Sequence, residues 1–364
     1  MSGNGKAGLK GPRLVFWELT TGCNLRCIHC RASATELMSP TDLTYRQCCE
    51  VIDQLAEYAP LILVLSGGEP LWRRDVFDIA RYAACRNLRV ALATNGTLVD
   101  EAMAWRIRDA GIVRVAVSLD GADRHTHDSF RGQAGAFEAA IAGLRHLKAL
   151  GVSTQINTSV ARHNVHQLPA ILRLAQSLGV HAFHIFLLVP VGCGLTIAAE
   201  QSIEAQEYER VLNWLYDRSL DSGLEIKATC APHYYRILRQ RRAASRRAGL
   251  PVPELPAHGL HATTRGCLAG SEVCFVSHQG EVFPCGYLPV AAGDLRRQRF
   301  RDIWEHARIF HELRNPDLLE GKCGVCEFKR ICLGCRARAF GLTGNYLAEE
   351  PFCIYEPQRA GSDS

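Results

Sequence analysis

The amino-acid sequence predicts an α/β fold, in which a partial (β/α)6 barrel of the TIM type precedes a smaller cysteine-rich domain. Three observations predict this fold. Short apolar or β-branched runs alternate with longer amphipathic segments up to about residue 205, which is the pattern of βα units. Turn residues follow these runs at the points where strands should end. Eight of the sixteen cysteines lie beyond residue 259, after the alternation has stopped.

Six strands are expected in the first part of the chain, each followed by a helical segment. Because parallel neighbours need helical crossovers, such a series closes naturally into a barrel or partial barrel with its active site at the carboxyl ends of the strands. The sequences "TTGC", "SGGEP", "TNG", "SLDG" and "VPVGCG" follow the first, second, third, fourth and sixth strands, and should therefore share one rim. The predicted strands cover residues 14–19, 61–65, 89–94, 113–118, 154–159 and 182–189.

The rest of the chain has a different composition. A helical and then strongly basic segment ends in "RILRQRRAASRR", and the proline-bearing sequence "GLPVPELP" marks a boundary after it. Beyond this boundary, "EVCFVSHQGEVFPC" predicts a β-hairpin that turns at Gln279-Gly280. The predicted division is a flexible lead (1–13), the barrel (14–205), a helical basic bridge and linker (206–258), a cysteine-rich domain (259–357) and a tail (358–364).

Composition and charge exclude several classes of function. A hydrophobic content of 47% is enough for a sizeable core, and a net charge of +5 is too small to indicate a nucleic-acid-binding protein. No apolar run is long enough to span a bilayer, and the N-terminus lacks the apolar centre of a signal peptide. Sixteen cysteines without an export signal indicate metal ligands and reduced thiols rather than disulfides. We therefore expect a cytoplasmic protein without a membrane span.

The octapeptide "CNLRCIHC" places three cysteines on the turn after the first strand. A structural zinc site normally has four ligands, so three thiols indicate a metal centre with one open position, such as a 4Fe-4S cube that offers its fourth iron to a ligand. The glycines of "SGGEP" allow close backbone approach, and its glutamate adds charge, which suits a chelating amino acid. A partial zinc site remains the alternative for the octapeptide alone. The residues concerned are Cys23, Cys27, Cys30, Gly67, Gly68 and Glu69.

These two motifs resemble those of the radical S-adenosylmethionine enzymes, whose C-x3-C-x2-C signature and glycine-rich motif stand intact as "CNLRCIHC" and "GGEP". The resemblance implies that the free iron binds the amino and carboxylate groups of S-adenosylmethionine. An electron from the cluster then yields methionine and a 5′-deoxyadenosyl radical. It also implies that Ser118 and Asp120 of "SLDG" lie near the ribose or carboxylate of this cofactor, and that Asn95 lies on the same rim.

The cysteines of the last domain could form two tetrathiolate sites, although C-x2-C-x5-C-x2-C at residues 323–335 could equally be a zinc knuckle. The wider arrangement is similar to the SPASM domain, which holds auxiliary 4Fe-4S clusters, and Gly280-x4-Cys285 matches its hairpin motif. The resemblance implies one cluster on Cys267, Cys274, Cys285 and Cys335, and a second on Cys323, Cys326, Cys332 and Cys353. Only two residues separate Cys332 from Cys335, so the ownership of Cys335 stays open, and a single auxiliary cluster is an alternative.

Three stretches of the second half, among them "KATCAPHYYR" and "TGNYLAEEPFC", resemble the tetrapyrrole-modifying branch, and most of all the heme b synthases of the siroheme-dependent route. The resemblance implies oxidative decarboxylation of two propionates of iron-coproporphyrin III to vinyl groups. Each decarboxylation releases one further electron, for which an iron-sulfur cluster is a suitable acceptor. An external reductant such as a flavodoxin or ferredoxin is expected. The alternatives are a didecarboxysiroheme deacetylase and a peptide-modifying maturase.

Other residues are weaker candidates. Cys48, Cys49 and Cys85 are expected in the core, and Cys193 and Cys230 are expected to be structural although they could face the substrate. Arg236, Arg239, Arg241, Arg242, Arg246 and Arg247 could bind substrate carboxylates, with a solvated helix face as the alternative, and Tyr234 and Tyr235 could stack on the ring. An axial ligand for the substrate iron could be His181, His184, His233, His258, His261 or His278.

Overall fold

The computed structural model describes residues 11–32, 34–36, 39–252 and 265–358. Within these residues the strands form one ten-stranded sheet in the order β10-β9-β8-β1-β2-β3-β4-β5-β6-β7. Strands β1 to β7 are parallel, β8 joins the free edge of β1 in parallel, and β9 and β10 continue antiparallel. The strands are β1 (Leu14–Glu18), β2 (Ile62–Ser66), β3 (Arg89–Thr94), β4 (Arg114–Ser118), β5 (Ser153–Val160), β6 (Ala182–Leu187), β7 (Glu225–Thr229), β8 (Val273–Val276), β9 (Glu281–Phe283) and β10 (Gly293–Asp294).

Helices connect the parallel strands, as right-handed crossovers require. Their ends follow local capping chemistry: Thr44 and Gln47 form a capping box at the start of the first helix, and Gly179, at a φ of 63°, ends the sixth. The helices are α1 (Tyr45–Ala56), α2 (Val76–Cys85), α3 (Glu101–Asp109), α4 (Arg124–Arg131), α5 (Ala136–Ala149), α6 (Leu168–Leu178), α7 (Gly194–Gln201), α8 (Ala205–Asp221), α9 (His233–Arg247), α10 (Phe300–His306), α11 (Arg308–Arg314), α12 (Gly321–Val325) and α13 (Arg336–Thr343), with short 3-10 turns at Pro70–Trp72, Val165–Gln167 and Pro316–Leu318.

The two faces of the sheet differ in polarity. Alternate residues of β1 to β4, such as Val15, Leu63 and Val115, are fully buried against the helices. The residues between them point to the opposite, concave side, where those of β4 are partly exposed. Four polar residues lie in register across β4 to β7 and form what we call the polar row. The polar row consists of Ser118, Asn157, His184 and Lys227.

The structure confirms the predicted α/β class and all six predicted strands, with ends that differ by at most two residues. The prediction that the bridge is helical was wrong at β7, because Glu225–Thr229 forms a seventh parallel strand beside β6. The predicted hairpin is present as β8 and β9. It is not separate from the barrel, however, because β8 pairs with β1 from Leu14↔Val273 to Trp17↔Val276. The cysteine-rich segment therefore extends the barrel sheet.

Candidate active site

The loop after β1, which we call the cysteine loop (residues 19–32), carries Cys23, Cys27 and Cys30. Cys23 is buried and the other two thiols are partly exposed. The loop is held by its backbone, since Cys23 N–H donates to the Thr35 carbonyl at 2.7 Å. Two further amides point at sulfur: Leu25 N–H lies 3.4 Å from Cys23 Sγ, and Ala34 N–H lies 3.4 Å from Cys30 Sγ. Burial raises the pKa of Cys23 to about 11, so a bound metal is needed to keep this thiol ionised.

An arginine from α4 reaches the cysteine loop. Arg131 is buried, and one guanidinium nitrogen lies 3.7 Å from Cys27 Sγ while another lies 2.6 Å from Asp120 Oδ2. Asp120 is fully buried, and its other oxygen accepts from Ser159 N–H at 2.7 Å. Burial would raise the pKa of Asp120, but Arg131, His29 and His127 hold it below its ordinary value. Asp120 therefore contacts the cysteine loop through Arg131 and through His29, and its place near the ribose or carboxylate of S-adenosylmethionine stays a prediction.

The two glycines of "SGGEP" allow the loop after β2 to touch the cysteine loop. A Cβ on Gly68 would lie 2.4 Å from the Gly22 carbonyl oxygen and 2.6 Å from that of Thr21. A Cβ on Gly67 would lie 2.6 Å from the Thr20 carbonyl oxygen. The loops are joined by Gly68 N–H donating to Thr20 at 2.7 Å. The glycines are thus required for loop packing, and any contact of Gly67 or Gly68 with a cofactor remains a prediction.

Glu69 joins the loops after β2 and β3. One carboxylate oxygen accepts from the Thr94 hydroxyl at 2.8 Å and from Leu71 N–H at 3.0 Å. The other accepts from Asn95 N–H at 2.7 Å. Burial raises the pKa of Glu69 to about 7, against the effect of these hydrogen bonds. The carboxylate is fully buried and both oxygens have protein partners. Glu69 therefore holds these two loops together from the interior of the protein.

Asn95 also contacts the cysteine loop. Its side-chain amide donates to Asn24 Oδ1 at 2.9 Å and lies 3.9 Å from Cys23 Sγ, and its oxygen accepts from the Thr97 hydroxyl at 2.7 Å. Asn95 therefore contacts Cys23 from the loop after β3. Ser118 ends β4 on the concave side and begins the polar row.

Four of the predicted thiols surround one cavity at the C-terminal end of the chain. Two of their sulfur atoms receive backbone donors: Glu350 N–H at 3.3 Å from Cys323 Sγ, and Phe328 N–H at 3.4 Å from Cys326 Sγ. His233, Arg236 and Tyr355 line the same cavity. We call these cysteines the second thiol group. It consists of Cys323, Cys326, Cys332 and Cys353, the set predicted for one auxiliary cluster.

The other predicted set is only partly brought together. Cys267, Cys285 and Cys335 influence one another electrostatically, and we call them the first thiol group. Cys335 is therefore associated with this group. Cys274 is not: it is fully buried on β8 in register with Val15, on the helix-covered face of the sheet. Since neighbouring strand residues point to opposite faces, Cys274 points away from the concave side.

The donor chemistry of these groups fits iron-sulfur clusters. Each group consists of cysteine thiols, and backbone N–H groups point at sulfur atoms in all of them, as in known cluster sites. In the described part of the chain no three Cys, His, Asp or Glu side chains are arranged to hold a single metal ion. A cube of four irons needs a wider arrangement, because each thiolate binds a different iron.

The weaker candidates for substrate binding lie mostly elsewhere. Tyr234 and Tyr235 are buried in the core, and Tyr234 donates to Ser219 Oγ at 3.4 Å, so they do not stack on a ligand. Arg236 pairs with Glu209, and Arg241 pairs with Asp217. The remaining predicted arginines of α9 are exposed or half-buried on its outer surface: Arg239, Arg242, Arg246 and Arg247.

The histidine candidates also separate by position. His233 is buried at the second thiol group, and burial lowers its pKa to about 4. His181 precedes β6, at the end of the sheet opposite the cysteine loop. His184 lies in the polar row, with its ring nitrogen 3.0 Å from Gln155. His278 bonds to Glu18, and His258 and His261 lie outside the described residues.

Sequence reasoning missed several residues of the site. Arg131 and Thr94 carry no motif signal, because only the folded rim brings them to Cys27 and Glu69. Glu18, at the end of β1, bonds to Arg31 of the cysteine loop and to His278 of the hairpin turn. An ionisable residue at the end of an apolar strand was the one available signal for this contact.

Among the helices of the described residues, none is both long and apolar enough to cross a membrane.

Two sequence profiles match the chain. One describes the Radical SAM superfamily and matches residues 17–175, and the other describes SPASM, an iron-sulfur cluster-binding domain, and matches residues 267–335. The AdoMet-dependent heme synthase of Methanosarcina barkeri is 49% identical over 346 residues, which are 95% of this chain and 97% of the relative. The AdoMet-dependent heme synthase of Oleidesulfovibrio alaskensis is 46% identical over 97% of this chain and 89% of its own.

The fold also matches a solved structure. The crystal structure of Streptococcus suis SuiB bound to S-adenosylmethionine superposes with a TM-score of 0.72, at 15% identity, over 95% of this chain and 78% of that one. At this identity the match concerns the fold alone. It confirms an α/β architecture with a mostly parallel sheet.

Proposed function

The chain belongs to the radical SAM enzymes that carry a C-terminal SPASM domain, and we propose that it is a heme synthase, which converts the two propionates of iron-coproporphyrin III to the vinyl groups of heme b. The observation that carries this proposal is the 46 to 49% identity to two AdoMet-dependent heme synthases over almost the whole chain.

The cysteine loop would hold the cluster of the radical SAM site through Cys23, Cys27 and Cys30. When bound, this cluster and S-adenosylmethionine supply a 5′-deoxyadenosyl radical that removes a hydrogen atom from the substrate. The role of the protein is to fix the three sulfur atoms. Asn95 and Arg131 donate toward Cys23 and Cys27, and such hydrogen bonds to sulfur tune the reduction potential of a cluster.

The two thiol groups of the SPASM domain would hold two auxiliary 4Fe-4S clusters. A propionate radical that loses carbon dioxide forms a vinyl group only when one electron leaves the substrate. A redox-active centre supplies an acceptor for this electron, whereas zinc does not. The second thiol group supports this assignment because its four sulfurs surround one cavity. An external flavodoxin or ferredoxin would reduce the radical SAM site, and the cytoplasm is the expected location.

The polar row would bind substrate carboxylates on the concave side of the sheet. Lys227 is a cation in this row, and Arg114 lies nearby with its guanidinium 2.6 Å from Glu225. Burial and the charge of Arg13 lower the pKa of Lys227, against the effect of the carboxylates of Glu225 and Glu272. Among the predicted histidines that the structure describes, His184 in the same row is the candidate that we propose for the substrate iron.

The test is an anaerobic reaction of the protein with S-adenosylmethionine, a reductant and iron-coproporphyrin III. We expect heme to form through a monovinyl intermediate, as followed by chromatography with mass detection. Cys23→Ala should yield neither 5′-deoxyadenosine nor heme, while Cys85→Ala, which changes an exposed thiol on α2, should yield both. Acetate release from didecarboxysiroheme, with no heme from coproporphyrin, would assign the deacetylase activity instead.

A further inference from the structure

The first thiol group has three thiols in place and lacks a fourth predicted ligand. Cys267 receives backbone donors from Ala269 and Arg336, and Cys285 receives them from Tyr287 and Leu288. Cys274 has no such environment: the charged group that influences its thiol is Arg314, on the helix-covered side of the sheet. A tetrathiolate site here needs a ligand from another part of the chain.

Cys230 lies beside the first thiol group. It follows β7 at the rim of the barrel, and its thiol is hydrogen-bonded to the thiol of Cys335. It also lies within electrostatic range of Cys285. Its backbone has a φ of 55°, in the left-handed region that side chains other than glycine and asparagine seldom adopt. Such a conformation costs free energy and is kept only where the surroundings enforce it.

Buried groups enforce the conformation of Cys230. Its carbonyl oxygen accepts from the Tyr208 hydroxyl at 3.0 Å and from the Arg338 guanidinium at 2.8 Å. Arg338 is fully buried and pairs with Glu350 at 3.2 Å. The Glu350 carboxylate in turn accepts from Cys335 N–H at 2.6 Å. One ion pair therefore fixes the backbone of both Cys230 and Cys335, whose thiols face each other.

We propose that Cys230 is the fourth thiolate of the first auxiliary cluster, in place of Cys274. The inference rests on the proposed function, which assigns two auxiliary clusters to this chain. It makes the cluster a bridge between the barrel rim and the SPASM domain, because one ligand follows β7 and the other three belong to the cysteine-rich segment. The sequence "ATCAPHYY" then carries a ligand of the SPASM site from outside that domain.

The test uses the full chain with Cys23, Cys27 and Cys30 replaced by alanine, so that auxiliary clusters alone contribute iron. After anaerobic reconstitution we expect about eight irons per chain and two overlapping EPR signals in the reduced protein. Adding Cys230→Ala should remove about four irons or, where three thiolates retain the cluster, shift the g values of one signal. Cys230→Ser, which keeps an oxygen ligand, should retain the iron with altered g values. Cys274→Ala is the matched control and should change neither measurement.

Two results would overturn the assignment. One is a Cys230→Ala protein with unchanged iron content and unchanged EPR signals. The other is loss of one cluster in Cys274→Ala while the circular dichroism spectrum stays that of the folded protein. The readout does not depend on heme formation. A changed cluster in Cys230→Ala together with no heme from the unmodified chain would therefore support the ligand and count against the proposed function.

Discussion

Glu18 connects the radical SAM site to the SPASM hairpin through single side-chain contacts. Its carboxylate bonds to Arg31 of the cysteine loop and, at 3.0 Å, to His278 of the hairpin turn. The Arg31 guanidinium also lies 4.6 Å from the centre of the Phe275 ring on β8. The residue that follows the third cysteine is thus fixed by the auxiliary domain. This contact gives each domain a direct influence on the geometry of the other.

The Glu18–His278 contact makes part of the folding stability depend on pH. The hydrogen bond to Glu18 raises the pKa of His278. Protonated His278 therefore contributes its full stabilisation below about pH 6.5, and this stabilisation is lost as the pH rises through the pKa of His278 in the folded protein. Burial would raise the pKa of Glu18, but His278 and Arg31 lower it. The stabilisation by ionised Glu18 is therefore lost only as the pH falls below about 4.5. We expect His278→Gln to lower the free energy of unfolding by about 1 kcal/mol near pH 6. The difference should become smaller near pH 9.

Thermal unfolding of anaerobic protein at the two pH values measures this effect. His166→Gln changes an exposed histidine and serves as the control, with equal stability to the unmodified chain at both values. An equal loss of stability near pH 6 and near pH 9 in His278→Gln would show that His278 contributes by packing and not by charge.

At the scale of elements, the rim depends on close contact between successive loops. Gly68→Ala places a methyl group 2.4 Å from the Gly22 carbonyl oxygen. Because this clash is with backbone, it can be relieved only if the loops after β1 and β2 move apart. We expect the rate of 5′-deoxyadenosine formation to fall about tenfold or more, because small displacements in a reacting site have large effects. Radical-site iron should also decrease.

Gly223→Ala separates this effect from simple backbone strain. Gly223 has a φ of 72°, and a Cβ there would meet no atom within 4 Å. It should lower stability slightly and leave the rate of cofactor cleavage as it is. A Gly68→Ala protein that cleaves S-adenosylmethionine at the same rate would contradict the role given to this loop contact.

The polar row allows a second prediction at this scale. If Lys227 binds a propionate, Lys227→Met should raise the KM for iron-coproporphyrin III about tenfold with a smaller change in kcat, because a charge-assisted hydrogen bond is lost from both the bound substrate and the transition state. Steady-state heme formation measures both constants. Lys148→Met, on the exposed surface of α5, is the control. A fall in kcat at constant KM would place Lys227 in the chemistry instead of in binding.

The strands could largely be predicted from the sequence. Which cysteines from different elements lie together could not. Apolar runs gave the six central strands because each is buried on the helix side. β7 was missed because "EIKAT" has a charged residue at alternate positions, and these face the polar concave side. The resemblance to the SPASM domain grouped the four cysteines of the second thiol group, and the structure places them around one cavity. The resemblance could not exclude Cys274, since the face to which a strand residue points depends on the pairing of β8 with β1.

At the scale of the whole molecule, barrel and auxiliary domain form one structure. The strands of the barrel and of the auxiliary domain belong to one sheet, which runs without interruption from β10 to β7. Beyond the pairing of β8 with β1, α13 returns to the barrel, where Arg338 donates to the Leu187 and Leu188 carbonyls at the end of β6. The cysteine-rich segment is thus fixed relative to the rim by buried contacts. Independent movement of the two domains would require these contacts to break.

The Arg338–Glu350 ion pair is the buried contact on which this arrangement can be tested. Both side chains are fully buried, so Arg338→Met removes the ion-pair partner of the buried Glu350 carboxylate, and we expect a loss of about 3 to 5 kcal/mol in the free energy of unfolding. Adding Glu350→Gln should recover part of this loss, because a neutral amide can still accept from Cys335 N–H. Chemical unfolding of anaerobic, reconstituted protein gives the three values. Arg301→Met, which breaks an exposed pair with Glu305 on α10, should leave the unfolding transition unchanged. If Arg338→Met unfolds at the same denaturant concentration as the unmodified chain, the two domains are held together by the sheet alone.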